Sequence, residues 1–303
     1  MNVETPAEAL PVAQGAPVAP TSADAPREAP CATCGQLPLP ANPPVAVVSP
    51  HRFVYAVGRL RAEFPDDGVA HEFAQLTGVD SRALVQAGDL KEALARPESR
   101  YLAYHICWVF GGPGGGDVCT VHPRDSHDID ELLDLLGGDD DDVEALVGAP
   151  ASPALVSACT APGLAAVTPD QVLRFTMDEF VAALPAPDAG EGAADRYRQV
   201  VRDLFAQLTQ RAGNLGTSDE HRALNFLALR YPPLYQLAFR VVGEGKALVG
   251  VDPRHATAGG RRVVSVRLVF RDHRSHLVER YHCTVDVTDL FPFLTSSLSQ
   301  TFD

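Results

Sequence analysis

The stretch Thr217–Pro232, T-S-D-E-H-R-A-L-N-F-L-A-L-R-Y-P, constrains the fold more than any other part of the chain. Thr217, with Glu220 three residues on, reads as a capping box, in which hydroxyl and carboxylate each satisfy a free backbone N–H. Leu224, Leu227, Ala228 and Tyr231 follow at helical spacing, and Pro232 ends the run. Phe226 and Leu229 fall on the other side, so the helix is apolar nearly all round and belongs in the middle of a domain. His221, Arg222 and Asn225 nevertheless share one face, three or four residues apart. Asn is a poor helix-interior residue, and buried polar groups need partners. This polar corner is therefore expected to be a satisfied structural network or, as the second reading, the floor of a pocket.

The chain can supply the core such a helix needs. It has 303 residues, 46% hydrophobic and 21% charged, enough for one large globular domain or two small ones. Its net charge is −14, a field that repels phosphate backbones and anionic lipid and so disfavours nucleic acid and membrane as partners. No apolar run reaches the about eighteen residues of a membrane-spanning helix. The start, M-N-V-E-T-P-A-E-A-L, lacks the basic and apolar regions of a secretory signal, and a cytoplasmic protein is expected. Six cysteines are few for a disulfide scaffold in a chain of this length; they are expected to be thiols or metal ligands.

Residues 1–29 are rich in Ala and Pro, without aromatics or periodicity, and read as a disordered tail; residues 30–303 read as a single domain. Arg52 to Phe64 alternates as a strand. Helices are predicted over 67–77 and 81–95 from the spacing of Val69, Phe73 and Leu76, then Leu84, Leu90 and Leu94. Tyr101 to Phe110 and Val118 to His122 flank G-G-P-G-G-G-D, the pattern of a hairpin with a glycine-rich turn. That turn has no Lys to reach a phosphate and lacks the spacing of a nucleotide loop. Asp128 to Leu136 reads as a short helix and Asp139 to Asp142 as a solvated acidic turn, since a Ca²⁺ loop would separate its carboxylates with spacers. A strand over Val143 to Val147, a helix over 176–184 opened by the capping box T-M-D-E, and helices over 194–212 and 233–243 follow. Ala247 to Val251, Arg262 to Arg271 and Leu277 to Val287 then read as an antiparallel meander, with Val264, Val266, Leu268 and Phe270 inward and Ser265, Arg267 and Val269 outward. The fold class is α+β: mixed strands and helices, a helical middle and a C-terminal β-meander.

Cys31-x-x-Cys34-Gly35 is the best metal signal, because such a turn presents two thiolates to one Zn²⁺. The remaining ligands would come from Cys107, Cys119, Cys159, Cys283 or a His, and Cys107 and Cys159 are the expected pair, giving a structural zinc that staples the N-terminal region to the core. A redox role is disfavoured because the flanking Pro-rich coil offers no helix N-terminus to activate a thiolate. No nucleophile elbow is present. The denser His segments, 122–128 and 272–276, read as turns, and no Ser–His–Asp or Cys–His spacing appears.

Several segments together carry a family resemblance. V-Y-A-V-G-R-L-R-A-E-F-P with H-E-F-A-Q downstream, the helix 217–232, and V-D-V-T-D-L-F-P-F-L at 285–294, preceded by C-A-T-C-G, resemble the C-terminal domain of cyanobactin maturation proteases of the PatA/PatG type. The resemblance runs in the same order from Cys31 to the C-terminus. It implies a setting in the biosynthesis of ribosomally made, post-translationally modified peptides. In that family the domain follows a subtilisin-like protease, whose Asp, His and Ser motifs are absent here, so the resemblance implies the accessory domain as a free-standing protein.

The first functional reading is a non-catalytic module that binds a precursor peptide or a partner maturation enzyme, with an acidic surface suited to basic or polar peptides and an open strand edge suited to β-addition. The second is a peptide-modifying enzyme with a pocket around His221, Arg222 and Asn225. The third is a dimerising structural domain.

Overall fold

A computed structural model describes residues 53–78, 87–139, 141–152, 159, 164–185 and 192–301. The expected tail over 1–29, the turn carrying Cys31 and Cys34, and the first part of the helix over 81–95 lie outside these residues.

Strand β1 (Val54–Glu63) organises the first half. Its first five residues pair antiparallel with β4 (Asp142–Pro150), from Val54 opposite Gly148 to Gly58 opposite Glu144. Its last five pair with β2 (Cys107–Gly111), from Arg59 opposite Gly111 to Glu63 opposite Cys107. Strands β3 (Asp117–Val121) and β5 (Ala165–Thr176) complete a closed barrel in the order β1-β2-β3-β5-β4, with β3 and β5 parallel. At Gly58 the backbone of β1 comes close to that of β2. A Cβ there would lie 1.8 Å from the carbonyl oxygen of Gly111, so only glycine permits that approach. Helices α1 (Asp67–Thr77), α2 (Ala87–Ala95) and α3 (Ser126–Leu135) join a core with Leu60, Phe110, Trp108 and Leu146.

The second half is built on α6 (Asp219–Arg230), with α4 (Met177–Ala183), α5 (Ala193–Thr209) and α7 (Pro232–Gly243). Strands β6 (Lys246–Ala258), β7 (Arg261–Asp272), β8 (Val278–Asp286) and β9 (Phe293–Thr301) form an antiparallel meander. Helix α6 packs against β1 of the barrel and against β6 and β7 of the meander. Ala223, Leu224, Leu227 and Ala228 are fully buried, each leucine contributing about 1.5–3 kcal/mol of apolar burial. The all-round apolar pattern thus marks a helix clasped between two sheets.

The differences from the sequence reading have local causes. Helix α6 starts one residue later than the capping box implies: Ser218, not Thr217, accepts from the His221 N–H at 3.2 Å. The T-M-D-E box at α4 does form, with Thr176 and Glu179 bonded reciprocally at 2.8 and 3.2 Å. Tyr101, expected to begin a strand, lies instead in the 3₁₀ turn Arg100–Tyr104, and β2 starts only at Cys107. Strand β5 was masked by Pro169, which sits where the β4–β5 register shifts. Strand β9 is Ser- and Thr-rich and carries little apolar signal, so the meander has four strands where three were expected. Strand β6 runs through Pro253, tolerated because β6 is a sheet edge.

Candidate functional site

The polar corner of α6 is closed. Arg222 and Asn225 are each 1% exposed. Asn225 donates to the Tyr55 carbonyl at 2.7 Å and accepts from the Asn214 side chain at 2.8 Å. Asn214 also donates to the Leu208 carbonyl and accepts from the Gly216 N–H. Gly216, at φ +65°, lies so close to Tyr55 that a Cβ would come within 2.4 Å of its carbonyl oxygen, and Tyr55 N–H donates to the Gly216 carbonyl at 2.9 Å. Asn225 therefore fastens α6 to β1 and to the preceding loop. Arg222 donates to the carbonyls of Val287, Asp289 and Leu290 beyond β8, and its guanidinium lies 5.3 Å from the centre of the Phe53 ring. Burial pulls its pKa down to about 10, with Asp219 opposing. His221 is half-buried, its Nδ1 without a partner among the described residues, and burial lowers its pKa.

A large cleft among the described residues lies elsewhere, at the barrel mouth, and His221, Arg222 and Asn225 do not line it. It has a volume of about 780 Å³. One wall is the glycine-rich turn between β2 and β3, held by Gly112 N–H to the Gly116 carbonyl at 2.8 Å and Gly115 N–H to the Gly112 carbonyl at 2.9 Å. Val57 and Phe205, both buried, back the cleft from the core. Phe205 is anchored in a ring cluster, its centroid 6.3 Å from Phe175 and 5.4 Å from Phe180. Guanidiniums and carboxylates both line the cleft. Arg61 pairs with Asp117 and with Glu63, both at 2.7 Å, and Arg202 pairs with Asp178 at 2.8 Å. Arg59 donates to the Asp139 carbonyl at 2.5 Å. Next to the cleft, Glu144 accepts from Leu60 N–H at 2.6 Å, where β1 has left β4, and burial raises its pKa against the opposing pull of that N–H and of Arg174. The acidic run is thus more than a solvated turn: Asp141 and Asp142 line the cleft, and Asp142 starts β4.

The cysteine expectation needs correction. Cys107 and Cys159 come together, with Cα atoms 5.3 Å apart, but as a disulfide. Sulfurs bonded to each other offer no thiolate, so this pair is not available to the zinc expected with Cys31 and Cys34. Cys119 and Cys283 are buried free thiols, and burial pushes Cys283 up to about 12. Among the described residues no group of His, Cys, Asp and Glu is arranged to hold a metal ion.

A barrel and a meander joined through one buried helix, with a polar cleft at the barrel mouth, define a mixed α/β domain. The chain belongs to the PatG domain family: the PatG Domain model matches residues 53–230 and the PatG C-terminal model residues 191–301. The two matches overlap across α5 and α6. A solved structure titled "PatG Domain of Unknown Function" has a similar fold, with 17% identity and a TM-score of 0.62, covering 82% of this chain and 98% of that one. No curated protein matches.

Proposed function

We propose that this domain is an accessory, non-catalytic module of cyanobactin-like peptide maturation that holds a polypeptide, a precursor peptide or a segment of a partner maturation enzyme, in the barrel-mouth cleft. The family supplies the setting; the make-up of the cleft wall carries the reading. Gly112 and Gly115, half-buried and exposed in the β2–β3 turn, line it without side chains, so another main chain can come close to the turn's backbone. Paired Arg and Asp on the rim suit polar side chains of either sign. The guanidiniums already face carboxylates, which suits peptides better than a phosphate ligand.

The test is calorimetric titration with cyanobactin-type precursor peptides and with the other enzymes of the same pathway. Saturable binding to the native protein, weakened about tenfold in Arg202→Glu with folding intact, supports the reading. Equal binding by the variant, or no heat with any pathway peptide or enzyme, overturns it.

A further inference from the structure

One seam of the barrel differs from the rest. β1 pairs antiparallel with β2 and with β4, β2 with β3, and β4 with β5. These pairings alone give an open sheet in the order β3-β2-β1-β4-β5. The barrel closes where β3 meets β5, in parallel, with Cys119 opposite Ala165, Thr120 opposite Ala166 and Val121 opposite Val167. The His122 N–H donates to the Val167 carbonyl at 2.8 Å and extends this seam by one bond. By contrast, β4 and β5 pair all the way from Asp142 opposite Thr176 to Pro150 opposite Val167. Parallel pairing is also slightly weaker per residue. The closing seam is thus the place where the barrel comes apart most easily.

The Cys107–Cys159 disulfide spans that seam. Cys107 is the first residue of β2, which holds β3 from one side. Cys159 precedes β5, between Pro150 and Ala165. The bond therefore ties the β5 side of the seam to the β2–β3 side. It joins residues 52 apart in sequence, and a cross-link over so long a loop restricts the open chain strongly. The two partners are unequally covered: Cys107 is 6% exposed and Cys159 is half-buried.

We infer that Cys107 and Cys159 form a redox-operated staple: bonded, they hold the β3–β5 seam together, and reduced by a dithiol they leave the barrel free to open there. One thiolate of the dithiol attacks the Sγ of Cys159, the more accessible of the pair, and Cys107 leaves as a thiolate that takes up a proton. The second thiol of the reductant then displaces Cys159 from the mixed disulfide. Two electrons and two protons pass to the cysteines, and the reductant ends as a cyclic disulfide. Oxidised glutathione runs the exchange in reverse, so the seam follows the thiol–disulfide balance around the domain. One consequence rests on the proposed peptide cleft. β3 begins at Asp117, the partner of Arg61 on the cleft rim, directly after the glycine-rich turn. An opened seam therefore loosens the cleft wall as well.

Cys119 supplies the reporter for the test. It lies in the seam, fully buried as a free thiol, so a maleimide reaches it only when the seam opens. Cys283, fully buried in β8 of the meander, is the internal control. The full chain is labelled with N-ethylmaleimide under native conditions, either oxidised or after treatment with dithiothreitol and its removal. Each cysteine is followed by mass spectrometry of its own peptide. Cys119 is expected to label at least about tenfold faster after reduction, with Cys283 within about twofold of its starting rate. Cys107→Ser with Cys159→Ser, never treated with dithiothreitol, is expected to label Cys119 at the rate of the reduced protein. If that double variant fails to fold, Cys159→Ser alone makes the same comparison. A Cys119 rate unchanged by reduction, equal acceleration of Cys119 and Cys283, or a disulfide that dithiothreitol opens only in denaturant would each overturn the inference. Calorimetry with a precursor peptide in both redox states reads the cleft separately: absence of binding in both counts against the cleft, while the Cys119 rates decide the staple.

Discussion

The α6 corner and the barrel-mouth cleft are both rich in polar groups, yet they do opposite things with them. At α6, Arg222 and Asn225 are sealed from solvent and donate to main-chain carbonyls of Tyr55, Val287 and Leu290, residues far away in the chain, with the Arg222 Nε left without a partner among the described residues. At the cleft, Arg61 and Arg202 stay about half exposed and pair with carboxylates that water also reaches. A buried donor with protein carbonyl partners is a fastener, since breaking it leaves several groups unsatisfied. A half-exposed ion pair contributes little to stability and can exchange partners. The difference teaches that clustering of polar residues in the sequence does not by itself mark a ligand site; what matters is whether their partners are already supplied by the fold.

The sharpest way to break this comparison is Arg222→Met. It removes the donor of the Val287 carbonyl in the core and of the Asp289 and Leu290 carbonyls at its edge, and a loss of about 3 kcal/mol or more is expected in denaturant unfolding. Next comes Gly58→Ala, whose new methyl meets the Gly111 carbonyl; overpacking of about 1–3 kcal/mol is expected, along with a distorted cleft wall seen as weaker peptide binding. Asn225→Ala removes the donor to the Tyr55 carbonyl and the acceptor of one Asn214 N–H, and about 2 kcal/mol should be lost with the cleft unaltered.

How much of this was readable in the sequence follows from the same physics. The centre of the fold was legible because α6 is apolar all round, and only a helix between two layers needs that. Its polar corner was legible as a buried network, because Asn225 inside a helix requires partners. The cleft was not legible. Its wall is made of glycines, which carry no side-chain pattern, and its rim joins Arg61, Asp178 and Arg202, which come together only when β1, α4 and α5 meet. The inward–outward alternation of β7 was plain, but which residues of β6 and β8 it faces depends on cross-strand register. The zinc reading failed at Cys107 and Cys159 because two cysteines that converge can bond to each other as well as to a metal.

The smallest effect expected is on pH dependence. Burial holds His221 below its ordinary value of 6.5, so the unfolded chain binds a proton more readily than the folded one. Stability from the neutral ring is therefore present above about pH 6.5 and is lost as pH falls through that value towards the lowered one. Thermal melts of native protein and His221→Gln should diverge slightly between about pH 7 and pH 5, the native protein losing more on acidification.

Hydrogen exchange on the protein with and without a bound precursor peptide bears most directly on the division between fastener and cleft. Slowed exchange is expected in residues 57–61, 111–116 and 176–178, with no change in 219–230, whose amides are already protected by burial. Protection confined to 219–230, with the barrel mouth unaffected, would contradict it.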